Sequence, residues 1–263
     1  MARVLSALVL LPLVIGTVWF LPPVATLVLA CIAAVLAFVE YAGILAALDV
    51  RIPRTVTGIA VVSACIAAGA SLVSLDLLLM SAMIAFGALA VAGGSPGPRT
   101  VYESVASTFP VVYIGLPLGA LAAVRAIAGR EAVLLLMLTI VISDSAQYYC
   151  GRAFGRRPLA PAISPKKTLE GAIGGLVFGT ATMVIGGERV FPDASVGLLA
   201  LVSAAIAALG MVGDLFESLL KRSAGVKDSS HIIPGHGGVL DRIDSWLFAA
   251  PVYYAFIRFV QFQ

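Results

Sequence analysis

Two stretches of this 263-residue chain hold side chains that could do chemistry. The first runs from Asp144 to Glu170 and carries seven charges. The second runs from Asp214 to Asp244 and carries nine. In the second, Asp214, Glu217 and Lys221 recur at helical spacing and share one face. Lys221-Arg222 and Lys227-Asp228 then lead to Pro234-Gly235-His236-Gly237-Gly238. This is a tight loop whose backbone N–H groups can approach a ligand closely. Asp241-Arg242-Ile243-Asp244 opens a helix, where acids also complement the positive end of the dipole. Carboxylates without a histidine cluster suit hard, oxygen-seeking cations such as Mg²⁺. Lys and Arg beside such a cation suit phosphate groups. The chain has only two histidines, His231 and His236, which excludes a His-rich zinc site. It has no Gly-x-x-x-x-Gly-Lys-[Ser/Thr] phosphate loop. No nucleophile–His–acid triad can be assembled from spacing. The residues point to metal-assisted chemistry on a phosphorylated substrate.

The elements that must position these residues are membrane helices. Hydrophobic residues make up 60% of the chain and charged residues 12%, and the mean hydropathy is +1.05. Soluble domains are about 45–50% apolar and about 25% charged. The composition therefore argues against a soluble enzyme, a disordered chain and a nucleic-acid binder. A bilayer core needs about 20 mostly apolar residues per crossing. The expected spans are Val4–Phe20, Pro22–Ala47, Val56–Val73, Leu75–Ala92, Val105–Val124, Ala132–Cys150, Ala172–Val190, Val196–Leu220 and Leu240–Val260. The expected fold is thus all-α: a polytopic membrane protein of about nine helices in a single domain over residues 1–263. Residues 1–140 are mainly apolar spans, and residues 141–263 carry the motifs. Pro12, Pro110 and Pro117 fall inside spans, where neighbouring helices absorb a kink. The run after Arg3 looks like a signal peptide, but hydrophobicity continues past Cys31, so no cleavage is expected.

With nine spans, 13 of the 17 Lys and Arg residues fall on the side of the N-terminus and the even-numbered loops. Positive charge stays cytoplasmic, so the N-terminus and the loops 93–104, 151–170 and 221–239 are expected there. Glu40, Asp49, Asp76, Glu103 and Asp193 read as interfacial acids. Cys31, Cys65 and Cys150 read as small buried hydrophobes. Arg156 and Arg157 read as topology and lipid contacts.

Ser218-x-Leu220-Lys221-Arg222, Lys227-Asp228 and His236-Gly237-Gly238-x-x-Asp241-Arg242-x-Asp244 together resemble the signature of the phosphatidate cytidylyltransferase (CDP-diacylglycerol synthase) family. Ser143-Asp144-Ser145, Gly151-Arg152-x-Phe154-Gly155 and Ser164-Pro165-Lys166-Lys167-Thr168-Leu169-Glu170-Gly171 resemble an upstream segment of the same family. Gln147 departs from it, since a small residue is more usual there. The motifs cover about the last half of the chain.

The resemblance implies a membrane enzyme that joins CTP and phosphatidic acid to give CDP-diacylglycerol and pyrophosphate. It implies Asp144, Asp214, Asp241, Asp244 and Lys167 as catalytic residues. Asp214, Asp241 and Asp144 would be metal ligands for Mg²⁺, with room for a second, monovalent or divalent, cation. Lys166 and Lys167 would hold the triphosphate, with Glu170 orienting one of them. Lys221, Arg222, Lys227 and Arg242 would hold the lipid phosphate or the leaving pyrophosphate. His236 would contact phosphate or brace its loop. Membrane lipids are expected partners, nucleic acid is not, and a homodimer fits. The competing readings are a CTP-dependent enzyme acting on another lipid and a transporter. The transporter predicts paired broken helices in internal repeats, which the sequence lacks.

Overall fold

The computed structural model describes residues 2–70, 74–94, 96–235 and 237–261. Among the described residues, nine α-helices dominate: α1 (Ala2–Phe20), α2 (Pro23–Ala47), α3 (Arg54–Ala70), α4 (Leu75–Gly93), α5 (Pro98–Pro110), α6 (Leu116–Phe154), α7 (Leu169–Val190), α8 (Val196–Ser223) and α9 (Leu240–Gln261). Among the described residues, five helical segments are long and apolar enough to cross a membrane, one of them being the continuous run Pro98–Phe154. The 17 residues of α3 reach only about 25 Å at 1.5 Å per residue. The apolar run of α9 is interrupted by Trp246, Pro251, Tyr253 and Tyr254. Large apolar side chains stay uncovered at helical spacing, as with Val24, Val28, Ile32, Val35 and Val39 along α2. Such stripes suit contact with lipid. These helices are those of a membrane protein.

The chain is helical as expected, with one short hairpin added. Strands β1 (Pro158–Ala160) and β2 (Ser164–Thr168) pair antiparallel. They let backbone groups in the basic segment between α6 and α7 bond each other. Three boundaries also differ. The expected loop 93–104 is helical from Pro98, because proline is pre-set for a first helical turn and Arg99 pairs with Glu103 one turn on at 2.9 Å. The expected span Val105–Val124 is not one α-helix. Pro110 lacks a backbone N–H, and a π-helical turn (Val111–Gly115) follows it before α6 begins. The expected gap between Val124 and Ala132 is helix broken only at Gly129, whose φ of 85° leaves the helical region.

The chain folds into two compact units. Unit 1 comprises residues 1–123 with 223–242. Unit 2 comprises residues 124–222 with 243–263.

In unit 1, α3 packs against α2 and the π-turn, and Ala34, Ala37, Val61, Ala64, Cys65 and Val111 are fully enclosed. Small residues make this closeness. A Cβ on Gly115 would come within 2.6 Å of the Val61 carbonyl oxygen. The packing also brings Cys31 Sγ to 3.8 Å from Cys65 Sγ, as free thiols. Cys65 is buried as expected, but Cys31 is only half-buried.

In unit 2, the core is built from Leu136, Met183, Leu199, Ile206, Tyr253 and Ile257. The Tyr253 hydroxyl donates to the Ala132 carbonyl at 2.9 Å, which satisfies an otherwise costly buried polar group. Glycines 171, 174, 175 and 179 line α7 where it meets the last turns of α6. A Cβ on Gly171 would lie 2.6 Å from the Gln147 carbonyl oxygen, and one on Gly174 would lie 2.6 Å from Cys150. Small residues at three- and four-residue spacing let membrane helices touch backbone to backbone. Gly213 does the same between α8 and α9, where a Cβ would collide with the Asp244 carbonyl oxygen.

Candidate active site

Unit 2 gathers the first group of motif residues. The contact at Gly213 places Asp214 beside the first turns of α9, which carry Asp244. The glycine face of α7 holds the end of α6, which carries Asp144. The Asp144 and Asp214 carboxylates repel each other, and Asp244 repels both. Lys167 and Lys221 offset this charge, Lys167 acting on Asp144 and Lys221 on Asp244.

Strand β2 explains why two adjacent lysines behave differently. Successive side chains on a strand point to opposite faces. Lys166 is exposed, while Lys167 Nζ lies 2.6 Å from Asp214 Oδ2. Thr168 then caps α7, accepting the Gly171 N–H at 3.2 Å. Lys221 is buried against Glu217, one turn earlier on α8. Glu217 itself is fully buried, so removing either partner would strand a charge away from water. Arg222 is exposed.

Two side chains in this unit do something other than expected. Glu170 does not orient a lysine. Its Oε2 accepts the backbone N–H groups of Arg156 at 3.0 Å and Arg157 at 3.2 Å, which fixes the turn into β1. The hairpin folds back on α7, so the acid in the first turn of α7 meets that backbone. Gln147, the residue that departs from the family pattern, donates from Nε2 to Asp144 Oδ1 at 3.0 Å. It lies one helical turn from Asp144, so the i, i+3 spacing was the available signal.

Unit 1 holds the second group, in the loop between α8 and α9. Ile233 and Gly237 bridge antiparallel, and Gly235 and Gly237 take φ of 77° and 81°, a region that disfavours other residues. Asp241 Oδ2 accepts three hydrogen bonds: the Gly238 N–H at 2.7 Å, the Ser229 N–H at 3.0 Å and the Ser229 hydroxyl at 2.9 Å. A cavity of about 620 Å³ opens here, lined by Lys227, Asp228, His231, Gly235, Gly237 and Arg242 among others. Lys227, His231 and Arg242 are exposed. His231 lines the cavity, although no motif in the sequence marks it. His236 lies outside the described residues.

Glu40, expected as an interfacial acid, is 2% exposed and enclosed by the protein. Its Oε1 accepts the Ser230 hydroxyl at 2.7 Å and the Val239 N–H at 2.8 Å. Its Oε2 accepts the Ser229 hydroxyl at 2.9 Å and the Leu240 N–H at 2.7 Å. A Cβ on Gly238 would collide with both this carboxylate and Ser229. That collision is one physical reason for the second glycine of His236-Gly237-Gly238.

The donor chemistry fits a hard cation, since the available ligands are carboxylate oxygens. Among the described residues, however, no three His, Cys, Asp or Glu side chains stand as a ready ligand cluster. In this arrangement Asp214 is matched with an ammonium group.

Helices long and apolar enough to cross a membrane, together with a group of carboxylates and lysines, fit a membrane protein. The sequence profile of the cytidylyltransferase family matches residues 1–260, and the chain belongs to that family. It is 46% identical over 133 residues to a Haemophilus influenzae protein named phosphatidate cytidylyltransferase, covering 48% of this chain and 46% of that one. It is 40% identical over 142 residues to a Staphylococcus haemolyticus protein of the same name, covering 54% of each. An Escherichia coli protein, named only as uncharacterized protein YnbB, is 44% identical over 131 residues, covering 50% of this chain and 44% of that one. The chain spans about half the length of the curated relatives it matches.

Proposed function

We propose that the protein transfers the cytidylyl group of CTP to phosphatidic acid, giving CDP-diacylglycerol and pyrophosphate. The observation that carries this reading is the grouping of Asp144, Asp214 and Asp244 with Lys167. It occurs in a family member whose relatives include proteins named for this activity.

In the reaction, an oxygen of the lipid phosphate attacks the α-phosphorus of CTP. The bond from that phosphorus to the bridging oxygen breaks, and pyrophosphate leaves. A phosphate monoester is already nucleophilic near pH 7, so the protein needs no strong general base. Its tasks are charge neutralisation and in-line alignment. Exposed Lys166 receives the triphosphate, and Lys167 exchanges Asp214 for a phosphate oxygen as CTP enters. Lys227 and Arg242, at the cavity of unit 1, take the lipid phosphate, and exposed Arg222 adds to the positive potential. Lys221, held by Glu217, offsets the charge of Asp244. Asp144, Asp214 and Asp244 would hold Mg²⁺, which when bound supplies further neutralisation of the transferring group. Asp241 is proposed as a further metal ligand. The proposed topology has nine crossings, with the N-terminus and the basic loops cytoplasmic, as the lysine and arginine bias supports.

The test is turnover by purified protein with CTP, phosphatidic acid and a panel of metals. Mg²⁺-dependent formation of CDP-diacylglycerol and pyrophosphate is the expected result. Absence of pyrophosphate release with every metal would overturn the reading, and release only with another lipid acceptor would reassign the substrate.

A further inference from the structure

We infer that Glu40, on α2 and outside every recognised motif, is a positioning residue that holds the 229–240 loop in its working shape. Four donors face its two carboxylate oxygens, two hydroxyls and two backbone amides, with the Ser229 hydroxyl shared with Asp241. Each oxygen takes one of each kind. The donors bracket the loop, with Ser229 and Ser230 at its start and Val239 and Leu240 at its end. One buried carboxylate therefore closes the loop on itself. Ser229 extends the effect, because its hydroxyl lies 2.9 Å from both Glu40 Oε2 and Asp241 Oδ2. A hydroxyl has one proton and serves one acceptor at a time, while the Ser229 N–H remains on Asp241 at 3.0 Å. Glu40 thus acts on Asp241 through Ser229. It also acts on Lys227 and Arg242 through the backbone that carries them.

The hydrogen-bond pattern separates this role from simple space-filling. Glutamine has nearly the shape of glutamate but offers one acceptor oxygen and one donor NH₂. In Glu40→Gln, the NH₂ must face the Val239 or the Leu240 N–H, which cannot accept. A buried amide left without a partner is costly, so the isostere should fail where a packing role would tolerate it.

Amide exchange and steady-state kinetics on the intact membrane protein test this. The clamp itself rests on geometry, and only its effect on turnover rests on the proposed reaction. In Glu40→Gln, exchange across residues 229–240 should quicken about tenfold or more, with α7 and α8 unchanged. KM for phosphatidic acid should rise about fivefold or more, with KM for CTP within about twofold. A variant that merely lowered the folded fraction would move neither KM. Ser229→Ala combined with Ser230→Ala removes two donors without touching α2 and should reproduce the exchange effect if Glu40→Gln fails to insert. Wild-type exchange in both variants would overturn the clamp, whatever the turnover. Rapid exchange with both KM values unchanged would overturn its link to the reaction. Rapid exchange in a protein whose wild type has no activity on phosphatidic acid would support the clamp and reject only the assigned substrate.

Discussion

The two units use acids in opposite ways. In unit 2, Asp144, Asp214 and Asp244 face one another and two lysines, so charge dominates and their fields are directed at whatever enters. In unit 1, Glu40 and Asp241 are occupied with hydroxyl and backbone N–H donors, so their charge is spent on shaping a loop. The unit 2 acids are balanced against lysines, whereas those of unit 1 are held by hydroxyl and backbone N–H donors. The deciding variable is what donates to the oxygens.

The sharpest way to break this contrast is to neutralise one acid in each unit. Asp214→Asn should lower turnover about a thousandfold or more and leave amide exchange in residues 229–240 untouched. Asp241→Asn should lower turnover and quicken exchange at Ser229 and Gly238 as well. Exchange that behaves alike in both variants would erase the distinction. Lys167→Met comes next, with a loss of about a hundredfold, or about 2.7 kcal/mol, and a raised KM for CTP. An unchanged KM would show that Lys167 serves Asp214 alone. Gly213→Val tests the packing that brings Asp214 to Asp244. It should destabilise unit 2 by about 1–3 kcal/mol through overpacking, read as a lowered midpoint in thermal or denaturant unfolding. Arg156→Ala should be nearly silent in turnover, under about twofold. Glu170 uses the backbone of Arg156, which alanine retains, so a larger loss would assign the guanidinium a role of its own.

Much of the molecule was legible in the residues, for identifiable reasons. Apolar runs of about 20 residues form helices because backbone groups in lipid must bond within their own segment. The pairing of Lys167 with Asp214 was less accessible, since it depends on a two-stranded hairpin too short and too basic to announce itself by hydrophobic alternation. The burial of α2 was hidden for a different reason. Almost every position there is apolar, so composition does not tell the lipid-facing stripe of Val24, Val28, Ile32, Val35 and Val39 from the enclosed face bearing Glu40. A lone acid near the end of such a run reads as interfacial by default. Its partners lie so far along the chain that no local pattern could reveal them. The resemblance implied that Glu170 orients a lysine, whereas the chain reversal at β1 brings the backbone N–H groups of Arg156 and Arg157 to it.

The distance between Glu40 and its partners has a consequence for how the protein is made. Ser229 lies 189 residues downstream and Leu240 lies 200. At a synthesis rate of about 5–20 residues per second, the wait is about 10–40 s. During that interval α2 has emerged with an acid whose permanent donors do not yet exist. A carboxylate in an apolar helix is costly without donors, and water or headgroups near the end of α2 can supply them until the loop arrives. A chain cut short before Ser229 would carry Glu40 on α2 without any of the four donors that face it in the fold.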